Sequence, residues 1–101
     1  MRSMSGSSDT VIRSIEEDDI EACAAIFVKA YAEVYGETWS VQTAEARITH
    51  VVGAGRPHCL VIEGDGAEVM GFLLARPYPW YDGIRLWIEE IVIETRYRGI
   101  G

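Results

Sequence analysis

The sequence is poor in several things, and each shortage closes off a class of protein. Two cysteines, Cys23 and Cys59, are all it carries. They cannot make a dense disulfide framework, so a reducing, cytoplasmic setting is expected. Both lie in apolar segments and read as core, and neither has a histidine partner in sequence that would make it a nucleophile. Basic residues are scarce, nine against sixteen acidic ones, for a net charge of −7. That balance argues against a general phosphate-backbone binder, and no nucleic-acid partner is expected. It is compatible with a cationic substrate such as an amine, although solubility alone accounts for a charge of this sign. No run of eighteen apolar residues occurs, so no helical membrane span is expected. Residues 1–9 are rich in Ser and Gly and lack an apolar h-region. They read as a flexible tail and not as a signal peptide. There is no internal repeat and no linker.

What remains is ordinary globular material. Of the 101 residues, 49% are apolar and 10% aromatic, which excludes disorder. A single chain of this size buries roughly 60–70% of its unfolded surface, enough for one modest core.

The hydrophobic pattern divides the chain into six elements. Residues 10–15 are short and β-branched, and predict a strand. An acidic cluster follows, in which Asp18 with Glu21 three residues on resembles a helix cap. Ile20, Cys23, Ala24, Phe27, Ala30, Tyr31 and Val34 recur at helical spacing, and Gly36 should stop that helix. Ser40 can cap a second helix with the stripe Val41, Ala44, Ile48 and Val51, ended by Gly53, Gly55 and Pro57. Residues 59–62 and 69–76 predict two strands joined by a Gly64, Asp65, Gly66 hairpin turn. Residues 77–83, with two prolines, predict a loop. Residues 84–93 predict a long strand with apolar residues at both parities, which suits a central strand covered on both faces. His50 and His58 read as a surface helix residue and a strand-entry residue. The order is β-α-α-β-β-β, and the fold class is α+β: a mixed, mainly antiparallel sheet flanked by helices.

The chemistry is concentrated at residues 88–101. An apolar strand holding Glu89 and Glu90 leads into Arg98, Gly99, Ile100 and Gly101. Glycines let a backbone approach a diphosphate closely, and an arginine adds charge. A carboxylate among Ile88, Ile91 and Val92 is costly unless it is paired or used. Burial also moves a carboxyl group toward the range of a general base. Trp39, Trp80, Tyr81 and Asp82 are candidates for a substrate wall, with core or hairpin packing as the plainer alternative.

This stretch resembles motif A of the GCN5-related N-acetyltransferases, in which a strand of type E-x-hydrophobic-x-V is followed by four residues and R-G-x-G-x-G/A. With Ile93 at the valine position, Arg98, Gly99, Ile100 and Gly101 fall on R-G-x-G. A second register, starting at Arg96, shifts the spacing by two and fits less well. The order of elements over residues 10–101 also follows the family, which places the cut inside motif A and makes this the N-terminal portion of such a domain. Within the family, Trp39 and Ser40, residues 79–83 and residues 88–91 look most like aminoglycoside 6'-N-acetyltransferases.

The resemblance implies acetyl transfer from acetyl-coenzyme A to a primary amine of a small molecule or peptide. It implies Glu90 as the carboxylate that takes the amine proton, with Glu89 second. Backbone groups of Ile91, Val92 and Ile93 would meet the pantetheine arm, and Arg98 to Gly101 the pyrophosphate. No metal is implied. The alternative belongs to another class: a non-catalytic half-domain that self-associates, for instance as a homodimer, through an exposed strand 84–93.

Overall fold

A computed structural model describes residues 10–55 and 58–94. Four strands form one antiparallel sheet in the order β1-β2-β3-β4: β1 Val11–Ser14, β2 Leu60–Glu63, β3 Val69–Trp80 and β4 Gly83–Ile93. Helices α1 (Ile20–Tyr35) and α2 (Val41–Gly55) pack on each other and on β3. The α+β class is as the hydrophobic pattern implied.

Helix α1 ends where expected. Gly36 adopts φ 67°, and its N–H closes back on Ala32 and Tyr31 carbonyls. Its start differs from the expectation. The reciprocal cap is built by Glu16 and Asp19 around a short 3-10 turn, Glu17–Asp19, not by Asp18 and Glu21. Ser40 caps α2 as anticipated, its Oγ accepting the Thr43 N–H at 3.0 Å. The helix runs through Gly53 to Gly55. Pro57, residues 1–9 and residues 95–101 lie outside the described residues.

The predicted loop at 77–83 is a correction. Here β3 continues to Trp80 and turns through Tyr81 and Asp82 directly into β4, with Trp80 opposite Gly83. The two prolines do not break the strand. β2 pairs with β3 only as far as Leu73, so the far half of β3 has one edge where no strand needs a proline N–H.

One face of the sheet carries Val61, Phe72, Leu74 and Val92 into a core shared with Cys23, Phe27, Ile48 and Val51. Cross-strand partners share a face, which fixes where the rest of β4 points. Leu74 faces Glu90, but Ala75 faces Ile88. Glu89 is therefore the extra residue of a β-bulge, and the parity of β4 switches across it. Ile84, Leu86 and Ile88 before the bulge, and Ile91 and Ile93 after it, line up on the side away from the helices. Ile84 is 70% exposed and Ile91 65%. The reading of β4 as a central strand covered on both faces is thus corrected. Apolar residues occur at both parities because of the bulge, and among the described residues β4 is an edge strand.

Candidate active site

Glu90 is the only buried carboxylate on the described sheet, at 9% exposure. The bulge turns it onto the helix face beside Leu74, and two helices then supply its partners. From α1, Tyr31 donates its hydroxyl to Glu90 Oε1 at 2.7 Å. From α2, Arg47 Nη2 donates to Glu90 Oε2 at 3.0 Å and to Glu89 Oε1 at 3.2 Å. On β3, Arg76 Nε also pairs with Glu89. A charge that would be prohibitive alone is thereby hydrogen-bonded on both oxygens.

The electrostatics follow from these contacts. Hydrogen bonds from Arg76, and then Arg47, hold the Glu89 carboxyl below the usual carboxylate range. Burial pushes the Tyr31 hydroxyl up, and its bond to Glu90 adds to the shift, so it remains a proton-bearing donor. Burial works against the Arg47 charge, but the bonds to Glu90 and Glu89 outweigh it and raise its pKa.

A cleft of about 360 Å³ opens beside this cluster, between the last two turns of α1 and the outer edge of β4. Helix α1 lines it with Ala30, Tyr31, Val34 and Tyr35, and β4 with residues 90–93. Glu90, Ile91, Val92 and Ile93, consecutive on β4, all line it. Trp39 stands behind the cleft. Its ring lies 4.7 Å from Phe27 and 5.7 Å from Tyr31, and its indole N–H goes to Glu37. Trp80, Tyr81 and Asp82 are elsewhere, at the hairpin tip roughly 20 Å along β4 from Glu90 at ~3.3 Å per residue. There Trp80 packs on Tyr78 and Arg85, and Asp82 pairs with Arg85. Arg98, Gly99, Ile100 and Gly101 lie outside the described residues.

Tyr31 and Arg47 were not recognised as site residues in the sequence. Tyr31 was visible only as one member of a helical stripe. Arg47 carried no local signal, because its neighbours Ala44 and Ile48 mark only which side of α2 is buried.

Cys23 and Cys59 are buried in the core and line no part of the cleft. Burial raises the Cys23 thiol to about 12. Among the described residues no cluster of His, Cys, Asp and Glu could hold a metal ion, and no helix is long and apolar enough to cross a membrane.

The family model described as "Acetyltransferase (GNAT) family" matches residues 20–101, and the chain belongs to that family. A search of curated proteins finds no significant match. Solved structures agree on the fold. One, titled a "possible acetyltransferase" of Clostridium difficile 630, has TM-score 0.74 and 17% identity, over 89% of this chain and 60% of its own. A GNAT family acetyltransferase of Staphylococcus aureus has TM-score 0.66 and 15% identity, over 90% of this chain and 67% of its own. An acetyltransferase of Trypanosoma brucei has TM-score 0.61 and 19% identity, over 92% of this chain and 66% of its own. The chain thus spans about three fifths to two thirds of the length of these relatives.

Proposed function

We propose that the protein to which this chain belongs transfers an acetyl group from acetyl-coenzyme A to a primary amine of a small molecule or peptide. The supporting observation is the buried carboxylate of Glu90 at a cleft that opens along the outer edge of β4. The residues present fit the thioester end of that cosubstrate. The cleft has mainly apolar walls, and Ile91 and Val92 have no described strand on their outer edge, where backbone groups would meet an amide-bearing arm. When bound, acetyl-coenzyme A supplies the activated acyl group. Arg98, Gly99, Ile100 and Gly101 are the residues that would hold its pyrophosphate.

Glu90 accepts the amine proton, directly or through water. Each of its oxygens keeps acceptor capacity after bonding Tyr31 and Arg47, and those two bonds fix the carboxylate's orientation. Glu89, tied to Arg47 and Arg76, is the second candidate. Attack on the acyl group is direct, and neither buried cysteine lines the cleft. A cytoplasmic setting suits two reduced thiols. The likeness to aminoglycoside 6'-N-acetyltransferases keeps an aminoglycoside amine among the acceptors to be assayed. Trp80, Tyr81 and Asp82 would touch only an acceptor long enough to reach the hairpin tip. The test is thioester cleavage by the complete protein and its Glu90→Gln variant. Equal rates for both would remove Glu90 from the reaction.

A second reading is favoured by the outer face of β4, where Ile84, Leu86, Ile88 and Ile91 are all half-exposed or more. In that reading the 101-residue chain pairs with itself through this strand and does not turn over. Light scattering decides it, since a monomer at all concentrations is incompatible with self-association.

A further inference from the structure

Glu90, the charged side chain that lines the cleft, is paired before any ligand enters, in a set of three ion pairs that joins Glu89 and Glu90 to Arg47 and Arg76. The remaining walls are apolar. Ala30 and Val34 lie one turn apart on α1, Val92 comes up from β4, and the rings of Tyr31 and Tyr35 sit 5.0 Å apart. Val34 and Tyr35 stand mostly exposed and present bare hydrocarbon and ring to whatever enters. Two hydroxyls interrupt this surface, those of Tyr31 and Tyr35. Tyr31 Oη spends its proton on Glu90, so toward a ligand it acts as an acceptor. An N–H donor on an apolar body satisfies every part of this lining. A polyhydroxylated body leaves its hydroxyls unpaired against Ala30, Val34 and Val92.

We infer that the cleft takes a primary amine carried on an aliphatic or aromatic body, with its nitrogen donating to Tyr31 Oη and its body lying on Val34 and Tyr35. Calling this ligand the acetyl acceptor rests on the acyl-transfer reading above, while the binding itself does not.

The experiment uses the 101-residue chain, titrated with propylamine, hexylamine, phenethylamine and glucosamine and followed by backbone amide NMR. Affinity rises about two- to fourfold per methylene from propylamine to hexylamine. Glucosamine binds at least about tenfold more weakly than hexylamine, having hydroxyls to desolvate and little apolar surface to bury. Shifts cluster in residues 30–35 and 90–93. Tyr31→Phe keeps the ring on Phe27 and weakens hexylamine about fivefold, the loss expected for one hydrogen bond. Val34→Asn, at an exposed position that tolerates the change, weakens it about threefold by replacing apolar wall with an uncharged amide. Affinity that ignores chain length, glucosamine binding as well as hexylamine, or shifts confined to the outer face of β4 would each overturn the inference. The two readings fail separately. A binding series that holds in a complete protein without thioester cleavage removes acetyl transfer only. Turnover with glucosamine but not with hexylamine keeps acetyl transfer and removes this class of acceptor.

Discussion

Two arginines in this molecule each hold two carboxylates, and the two nodes do different work. Arg13 on β1 forks onto Asp19 at 2.8 and 2.9 Å and reaches Glu63 on β2 at 2.9 Å. Asp19 in turn accepts the Glu16 N–H at 2.7 Å, so this node ties the sheet edge to the start of α1. Its geometry is bidentate, and none of its residues lines the cleft between α1 and β4. Arg47 offers only a single nitrogen to Glu89 and Glu90, shares them with Arg76 and Tyr31, and its partner Glu90 borders open space. The first node is saturated and serves stability. The second keeps acceptor capacity next to a cavity, which is the condition for moving a proton. An arginine between two acids is therefore uninformative by itself, and the neighbouring volume separates the two cases.

The comparison is broken most sharply by one substitution in the second node. In the complete protein, Glu90→Gln should lower acetyl transfer about 10²–10⁴-fold if Glu90 is the general base. Its thermal midpoint should move less than that of a variant in the first node. Steady-state thioester cleavage beside thermal denaturation checks both.

Next in size is Asp19→Ala. It leaves Arg13 without its forked partner and removes the reciprocal cap of the 3-10 turn that leads into α1, at a cost of about 2–4 kcal/mol. Urea denaturation measures it.

The same residue gives a pH signature. The hydrogen bonds from Arg13 hold the Asp19 carboxyl below its ordinary value. A depressed carboxylate stabilises the fold above its unfolded pKa, about 3.9, and that contribution disappears as pH falls through the folded value. Stability should therefore drop below about pH 4, and Asp19→Asn should flatten the drop. Denaturation midpoints between pH 6 and pH 3 test the sign.

The smallest effect belongs to the ion pair of Asp82 with Arg85 at the exposed hairpin tip. Asp82→Ala should cost no more than about 0.5 kcal/mol. A larger loss would mean the tip is more tightly ordered than its exposure implies.

Local signals in the sequence located α1 and α2, because periodicity, Gly36 and Ser40 act over a few residues. They also marked Glu90, since an acid amid Ile88, Ile91 and Val92 is conspicuous. Three things were not legible. The prolines at 77 and 79 argued for a loop, and only the register of β2 shows that their edge needs no donor. The switch in apolar parity from Ile84, Leu86 and Ile88 to Ile91 and Ile93 looked like two covered faces. It is instead the trace of one unpaired residue. Tyr31 and Arg47 reach Glu90 from 59 and 43 residues away, and no local pattern encodes a contact at that separation.

That unpaired residue, Glu89, makes the β3–β4 hairpin tolerant of change at one place and intolerant at another. Lengthening both strands equally at the Tyr81–Asp82 tip would extend the arm and leave Glu90 opposite Leu74. Deleting Glu89 alone would keep Glu90 opposite Leu74 and Ile88 opposite Ala75, and would remove the bulge together with the carboxylate that Arg47 and Arg76 share. Length variation among such chains should therefore be confined to the tip, with the residue count between bulge and cleft held constant.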